Sequence, residues 1–317
     1  MRVIHGLPER RLRTPLCLAA GVFDGVHLGH RAIITTAVRL SQERGCVPAV
    51  LTFAPHPDAV LLRRGLPHLL TTREEKVALF RALGVQITIV ARFDLSLART
   101  PAETFVREIL AHRLHACCLT VGEGWRFGAG GRGDARLLKR LARECGFAFC
   151  SCPPVTVDGA AVSSTRIRAL IAKGQMEEAA RLLGRPYQLS NTVMQGDRRG
   201  RQFGFPTANL APPPFKAMPP NGIYACWAGV SRFAPAVASL GVRPTFGSGG
   251  DRRLEVHLLD PERRPRLLGR RLRVAFVSRL REERRFPSAE ALTSQMAEDC
   301  QHARALLAGL QAPIDVL

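Results

Sequence analysis

The sequence predicts two domains of different class: an α/β domain built on a parallel sheet, followed by an antiparallel β-barrel that ends in a helix. Three observations predict this fold. The 317 residues exceed the roughly 250 at which single cores usually stop growing. Short apolar runs alternate with helical patterns as far as about residue 154, which is typical of a parallel sheet covered on both faces. Beyond about residue 184, strand-like runs are separated by Gly- and Pro-rich turns with no helix between them.

The apolar runs of the first half are predicted strands of the parallel sheet, and they lie at 16–22, 47–53, 86–91, 117–121 and 147–150. Helical spacing predicts helices over 73–83 and 101–113, and Pro101 suits a first helical turn. Ligands of such sheets bind beyond the carboxyl ends of the strands. We therefore expect chemistry in the loops after Val22, Phe53 and Val121.

A helical stretch from Ser164 to about Leu183, broken near Gly174, ends at Gly184-Arg-Pro186. We place the domain boundary there, which gives domains of residues 1–184 and 185–317. The predicted strands of the second domain lie at 222–227, 236–240, 254–259 and 272–277. A last helix is predicted to start at the N-cap Ser288, and its apolar stripe consists of Leu292, Met296, Cys300, Ala303, Leu307 and Leu310.

Composition excludes several classes of protein. With 46% hydrophobic and 23% charged residues, the chain is expected to fold as a globular protein. No run approaches the roughly 20 apolar residues of a spanning helix, and the start lacks a signal peptide's apolar segment, so we expect a soluble cytoplasmic protein without a membrane partner. The nine cysteines contain no C-x-x-C, which indicates buried or idle thiols rather than a disulfide scaffold or a zinc site.

The net charge of +20 has several interpretations. Of the 46 basic residues, 42 are Arg and only four are Lys, which favours coding bias and a solvated surface. Steering of anionic ligands is the next alternative, and specific nucleic-acid binding is the least favoured. We expect a monomer or a weak homo-oligomer.

The first candidate phosphate site is Gly21-Val-Phe-Asp-Gly-Val-His-Leu-Gly-His30, which connects a predicted strand to a helix. His27 and His30 would lie beside free backbone N–H groups at the positive end of the helix dipole, a setting that suits a polyphosphate. Gly29 permits close approach of the backbone. The predicted nucleotide contacts are Gly21, Phe23, Asp24, His27, Gly29 and His30. Asp24 either binds Mg²⁺ or caps the loop.

A second segment, Val162-Ser-Ser-Thr-Arg-Ile-Arg168, starts another predicted helix with three hydroxyls and two guanidiniums. Hydroxyls at a helix start are usually caps. Together with the histidine loop, Ser164, Thr165 and Arg168 are candidates for the other side of a triphosphate site.

A third segment, Gly196-Asp-Arg-Arg-Gly-Arg-Gln-Phe-Gly-Phe-Pro-Thr-Ala-Asn209, lies in the second domain. On extended backbone Thr207 and Asn209 point to the same side, so both oxygens can ligate one hard cation such as Mg²⁺ that holds ATP phosphates. The glycines Gly196, Gly200 and Gly204 would let the loop approach the nucleotide. The bare pattern also fits a surface turn.

These motifs resemble the bacterial bifunctional riboflavin kinase/FAD synthetase family. The matching segments follow family order along both halves, and they are 21–30, 52–57, 70–76, 162–168, 178–186, 204–209 and 254–260. The resemblance implies a Rossmann-like nucleotidyltransferase domain that converts FMN and ATP to FAD. It implies that the remainder is a riboflavin kinase barrel.

The resemblance also implies roles for individual residues. In the first domain His27 and His30 would contact the α- and β-phosphates, while Ser164, Thr165 and Arg168 would hold the departing pyrophosphate. In the barrel Glu255 would accept the proton of the riboflavin 5′-hydroxyl, although the pattern alone fits a solvent-facing carboxylate. We expect His257 to be structural.

Arg281 and Glu283 match a charged pair of the family and would shape the flavin or nucleotide pocket, with a surface ion pair as the alternative.

The chain departs from the family in four places. Gly124-Trp125 replaces Asp or Asn followed by Phe, and the downstream Arg is displaced to Arg132. In the barrel, Ser239-Leu-Gly241 and Arg266-Leu-Leu-Gly269 replace the common Asn-Ile-Gly and Asp-Leu-Tyr-Gly. Two alternatives therefore accompany the bifunctional enzyme: a kinase with an impaired adenylyltransferase half, and a basic flavin- or RNA-binding regulator on the same scaffold.

Overall fold

The computed structural model describes residues 1–61, 68–196, 200, 203–242, 252–260 and 267–313. They form two compact units, of which the first is Met1–Ser164 and the second begins at Thr165. These compact units meet at 164/165, at the start of a helix, which is 20 residues before the predicted domain boundary. The boundary at 184/185 stays a prediction.

The first unit is built on a six-stranded parallel sheet. In chain order its strands are β1 (Arg2–His5), β2 (Leu16–Ala20), β3 (Val47–Ala54), β4 (Ile87–Arg92), β5 (Ala116–Gly122) and β6 (Ala148–Cys152). Their order across the sheet is β1-β4-β3-β2-β5-β6. From β2 the connections run outward in both directions, so the crevice beyond the carboxyl ends of β2 and β5 is a topological switch point. Five of the strands are the predicted ones, while β1 was not predicted.

Helices cover both faces of this sheet. They are α1 (Leu28–Arg44), α2 (Pro57–Leu61), α3 (Arg73–Ala82), α4 (Leu95–Ala98), α5 (Ala102–Thr104), a π-helix (Phe105–Arg113), a 3₁₀ turn (Ala129–Gly131) and α6 (Ala135–Glu144). Alternate residues of β2 enter different clusters, with Leu16 and Leu18 on one face and Cys17 and Ala19 on the other. The predicted two-sided burial is confirmed.

The predicted helix over 101–113 has a different form. Only Ala102–Thr104 is α-helical, and Phe105–Arg113 is a π-helix. Its wider turn is visible where the Leu114 N–H donates to the Ile109 carbonyl five residues earlier, at 2.9 Å.

The prediction of idle thiols is wrong at one pair. Cys46 and Cys117 form a disulfide across 71 residues of sequence. Cys46 directly precedes β3 and Cys117 lies in β5, and both pack against the same apolar cluster on one face of the sheet. Spacing along the chain does not reveal this pairing because the parallel sheet brings the two segments together.

A short hairpin, β7 (Thr156–Val157) and β8 (Ala160–Ala161), precedes two helices, α7 (Ser164–Ala172) and α8 (Met176–Leu183). The break between α7 and α8 falls at Gly174, whose φ is +77°, as predicted. Gly184 ends α8 in a left-handed conformation, which glycine adopts without the steric cost of a Cβ.

The second unit contains a six-stranded antiparallel sheet. Its strands are β9 (Tyr187–Thr192), β10 (Ala208–Leu210), β11 (Gly222–Gly229), β12 (Ala234–Val242), β13 (Arg252–Leu258) and β14 (Arg271–Arg281). Their order is β10-β13-β12-β11-β14-β9. Just after β9, Met194 forms an antiparallel bridge with Asn209 of β10, which closes the sheet into the predicted barrel. Strands β9 and β10 were not among the predicted strands.

The last helix, α9 (Ala289–Ala308), packs on the outer face of the barrel. Ser288 is its N-cap, as predicted, and accepts a hydrogen bond from the Ala291 N–H at 3.2 Å. Cys300, Ala303 and Leu307 are buried, but Leu310 is 47% exposed. Including Leu310 in the stripe was wrong because the helix ends before it. Within the described part of the chain, no helix combines the length and hydropathy needed to cross a bilayer.

Candidate functional sites

The loop after β2 lies at the switch point and has a constrained backbone. Phe23 and Val26 have φ of +53° and +42°, a region that non-glycine residues seldom adopt and that often marks functional sites. The Phe23 ring is buried and folds back over Gly21, where a Cβ would lie 3.0 Å from it. Gly21 is therefore required by the packing of Phe23.

Asp24 holds this loop to a distant part of the chain. Its buried carboxylate accepts hydrogen bonds from the Leu70 N–H at 3.0 Å, and from the Thr71 N–H and Thr71 Oγ1 at 3.1 Å. The Gly25 N–H in turn donates to Thr71 Oγ1 at 3.0 Å. Of the two roles predicted for Asp24, these contacts favour shaping the loop.

The carbonyl of Val22 is held by two residues outside the predicted nucleotide contacts. Lys76 Nζ donates to it at 2.9 Å and Thr52 Oγ1 at 3.0 Å. Burial lowers the pKa of the Lys76 ammonium, while the negative charge of Asp24 opposes this shift. The signal available in the sequence was the position of Thr52 near the carboxyl end of β3 and of Lys76 in the first turn of α3.

The two histidines lie together at the start of α1. His27 is the N-cap, and its Nδ1 accepts a hydrogen bond from the His30 N–H at 3.4 Å. The rings stack with centroids 3.6 Å apart, and the edge of Phe23 packs at 5.3 Å from His30. A Cβ on Gly29 would lie 3.2 Å from the His27 ring. The predicted pair of imidazoles at a helix N-terminus is therefore present.

Ser164 also contacts this loop, because its hydroxyl donates to the Asp24 carbonyl at 2.9 Å. Thr165 and Arg168 follow in α7 and belong to the second unit. Thr165 is exposed and Arg168 is half-buried. The roles of all three toward a triphosphate stay predictions.

The unusual segment after β5 has space around Gly124, where a Cβ would meet nothing within 4 Å. Trp125 stacks on Phe127 with centroids 4.8 Å apart and packs against the sheet's core. Glu123 and Arg132 are exposed. Trp125 therefore serves packing, and Glu123 is the exposed carboxylate next to the open position.

In the second unit, the third motif and the candidate base lie side by side. Thr207 Oγ1 donates to Glu255 Oε2 at 3.3 Å, and Asn209 pairs with Glu255 in the β10–β13 register. Directly paired residues share a face of the sheet. His257 Nδ1 lies 2.9 Å from the Pro206 carbonyl, next to Thr207, which agrees with its predicted structural role.

The glycines of this motif allow close packing. A Cβ on Gly196 would lie 2.3 Å from Asn209 Nδ2, and one on Gly200 would lie 2.4 Å from the Phe205 carbonyl oxygen. Gly204 has a φ of +82°. Gly196 and Gly200 therefore bring backbone directly against the Phe205–Asn209 segment.

Two cavities meet at Thr207. One has a volume of about 370 Å³ and includes Glu255, Ser239 and several apolar residues of the sheet and α9. The other has a volume of about 270 Å³ and includes Gly196, Ala208 and apolar residues such as Leu268. Thr207 lines both cavities, so it lies where groups bound in the two would meet.

Arg281 and Glu283 both line the larger cavity. Arg281 forms an ion pair with Asp299 of α9. A Cβ on Gly241 would lie 2.3 Å from Glu283 Oε1, so this glycine makes room for the carboxylate. Burial raises the pKa of Glu283, and the charges of Arg252 and Arg281 oppose the shift.

Taken together, the fold and these residues define a class of protein with two distinct candidate nucleotide sites. One lies at the carboxyl ends of the strands of a parallel sheet, and the other lies on an antiparallel barrel. Residues 10–166 match FAD synthetase and residues 183–307 match riboflavin kinase. The chain belongs to the family of bifunctional riboflavin kinase/FMN adenylyltransferases.

Individual relatives cover nearly the whole chain. The bifunctional riboflavin kinase/FMN adenylyltransferase of Escherichia coli (strain K12) is 36% identical over 315 residues, 99% of each chain. That of Pseudomonas fluorescens is 36% identical over 97% of this chain and 98% of its own. A solved structure described as a macrolide-efflux protein from Streptococcus pneumoniae has a TM-score of 0.86 at 26% identity, and covers 96% of this chain and 99% of that one.

Proposed function

We propose that the chain phosphorylates riboflavin to FMN with ATP in the barrel and then adenylylates FMN to FAD in the parallel-sheet unit. The observation that carries this proposal is the succession of the two matches, FAD synthetase and riboflavin kinase, along one chain. The arrangement of Thr207, Glu255 and the two cavities supports the kinase half. The histidine pair at the start of α1 supports the adenylyltransferase half.

In the adenylyltransferase site, an oxygen of the FMN phosphate attacks the α-phosphorus of ATP. A new bond forms between this oxygen and the α-phosphorus. The bond between the α-phosphorus and the oxygen that bridges it to the β-phosphate breaks, and pyrophosphate leaves. The nucleophile is already ionised near neutral pH, so stabilising the developing charge matters more than removing a proton. We assign this role to His27, His30 and the backbone N–H groups of the first turn of α1, and we propose that Ser164, Thr165 and Arg168 hold the pyrophosphate.

In the kinase site, the nucleophile is the neutral 5′-hydroxyl of riboflavin, which benefits from a proton acceptor. We assign the cavity of about 370 Å³ to riboflavin and the cavity beside Gly196 to ATP. Glu255 then faces the hydroxyl and receives its proton, while the γ-phosphoryl group is transferred next to Thr207.

Thr207 at this junction and Asn209 in the adjoining strand β10 fit Mg²⁺. The site differs from one built of charged or imidazole ligands, since no three His, Cys, Asp or Glu side chains form a metal-binding group among the described residues. The neutral oxygens of Thr207 and Asn209 suit a hard cation that takes its remaining ligands from phosphates and water. When bound, Mg²⁺ would neutralise phosphate charge.

We also propose that the enzyme is cytoplasmic and either monomeric or weakly homo-oligomeric. Its proposed partners are riboflavin, FMN and ATP. The positive charge is assigned to solvated surface, so any nucleic-acid binding is expected to disappear at high salt.

The test is chromatography of the products formed from riboflavin and Mg-ATP, because FMN and FAD report the two halves separately. Both products are expected. FMN without FAD, and no pyrophosphate from FMN and ATP, would show a kinase only. Absence of both products would overturn the proposal.

Reciprocal variants separate the two sites. Glu255→Gln is expected to lower FMN formation about 100-fold or more, because it removes the proton acceptor, while FAD formation from supplied FMN is unchanged. His30→Ala is expected to have the reverse effect. Glu177→Gln and His112→Ala, which change exposed residues, are the matched controls. A loss of both activities in either site variant would contradict independent sites.

A further inference from the structure

One wall of the larger cavity is provided by α9. Four residues of this helix line the cavity, namely Leu292, Met296, Asp299 and Cys300. The opposite wall is the outer face of the barrel. The volume available to an acceptor therefore depends on how α9 is held against the sheet.

An ion pair inside the cavity joins the two walls. Arg281, the last residue of β14, donates from Nε to Asp299 Oδ1 at 2.9 Å and from Nη2 to Asp299 Oδ2 at 2.7 Å. The Asp299 side chain is 7% exposed and that of Arg281 is 20% exposed. Two parallel hydrogen bonds between a guanidinium and a carboxylate fix both distance and orientation.

Further contacts commit both side chains to the protein. Arg281 Nη1 donates to the Glu282 carbonyl at 2.9 Å, so all three nitrogens of the guanidinium already donate. Gln295 Nε2 donates to Asp299 Oδ1 at 3.2 Å. The ring of Phe286, another residue of the cavity, lies 5.7 Å from the guanidinium of Arg281. This arrangement suits holding a wall better than binding a ligand.

The ion pair lies in the same row of the sheet as Glu255. Across the strands, Glu255 pairs with Ser239, Ser239 with Ile223, and Ile223 with Arg281. All four residues line the cavity. Because the sheet fixes the position of Arg281 relative to Glu255, the bond to Asp299 transmits that position to α9.

We propose that Asp299 is a positioning residue for the flavin acceptor. Through Arg281 it holds α9 at the distance from the sheet at which a flavin ring fits between α9 and the barrel. The chain of the flavin that carries the 5′-hydroxyl then extends toward Glu255. This inference rests on the proposed kinase activity. It assigns the recognition of riboflavin to the spacing of the walls rather than to a charged contact with the substrate.

The test measures riboflavin phosphorylation by Asp299→Ala, Asp299→Asn and the control Glu298→Ala, whose carboxylate is exposed on the same helix. Asp299→Ala is expected to raise KM for riboflavin about tenfold, equivalent to about 1.4 kcal/mol, because α9 loses its hold. Asp299→Asn keeps one oxygen that accepts from Arg281, so its KM is expected to lie between those of the alanine variant and the wild type. In both variants kcat at saturating riboflavin, KM for ATP and FAD formation from FMN stay unchanged.

Two further measurements keep the test decisive. If Asp299→Ala does not fold, Arg281→Lys preserves the charge but loses the two parallel hydrogen bonds, and it is expected to raise KM for riboflavin alone. An unchanged KM for riboflavin in folded Asp299→Ala or in Arg281→Lys would overturn the inference, as would an equal rise in KM for ATP. Wild-type protein that makes no FMN would instead overturn the proposed function, and this inference with it.

Discussion

Asp24 is a buried carboxylate whose partners lie 46 and 47 residues further along the chain. Its hydrogen bonds with Leu70 and Thr71 tie the residues just before the N-cap of α3 to the loop after β2. That loop continues into His27, the N-cap of α1. The position of the histidine pair therefore depends on a contact that lies outside the histidine motif.

At the same scale, Asp24→Ala is expected to destabilise the first unit by about 3 kcal/mol, because it leaves buried donors of Leu70 and Thr71 without their acceptor. Urea unfolding followed by the fluorescence of Trp125 checks this. The variants are made on a Trp227→Phe background, which removes the signal of the second unit.

Asp58→Ala is the matched control, since that carboxylate is 59% exposed and its loss is expected to cost less than about 0.5 kcal/mol. Equal unfolding midpoints for the two variants would show that Asp24 does not anchor the loop.

At the scale of the element, the first turn of α1 combines a helix N-terminus with two stacked imidazoles. His27 occupies the capping position that Ser, Thr, Asp or Asn usually fills. Its ring fits because residue 29 has no side chain. Gly29 therefore sets the orientation of the His27 ring.

Gly29→Ala is expected to lower kcat/KM for FAD formation by about tenfold to a hundredfold, because small displacements of catalytic groups are costly. The added Cβ would lie 3.2 Å from Cε1 and 3.3 Å from Nδ1 of His27, so the ring must move. Steady-state kinetics with FMN and ATP measure the effect.

Helix stability is not expected to fall in this variant, since Ala is the better helix former. The control Gly309→Ala lies at the end of α9, where a Cβ meets nothing within 4 Å. Unaltered FAD formation in Gly29→Ala would show that the His27 orientation is not important for the reaction.

At the scale of the whole molecule, the two proposed reactions are linked by a product that is able to leave one site and enter the other. A mixture of the Glu255→Gln and His30→Ala proteins is therefore expected to make FAD from riboflavin much faster than either variant does alone. FMN released by the His30→Ala protein supplies the Glu255→Gln protein. Chromatography of the products over time, with FMN accumulating before FAD, checks this.

Accumulation of FMN in the mixture without any FAD would contradict the prediction, and would mean that FMN passes between sites only within one chain. Dilution of the mixture provides the control. It should lengthen the delay before FAD appears, because the intermediate is then shared through solution.

Local pattern was sufficient to predict most of the fold. Alternating apolar and helical segments predicted five of the six parallel strands, and Ser288 marked the start of α9. The strands β1, β7, β8, β9 and β10 were missed. Their sequences carry no long apolar run, so their pairing with neighbouring strands decides their conformation.

The sequence by itself determined that this chain carries a histidine pair at a helix start, a Thr-Ala-Asn segment on extended backbone and two domains of different class, because each depends on residues close together in the chain. Only the tertiary structure decided that Asp24 shapes a loop, that Cys46 joins Cys117, that Thr207 lies between two cavities and that Arg281 is bound to Asp299. These are contacts between distant segments. Their partners are chosen by packing, burial and strand order, which no local spacing encodes.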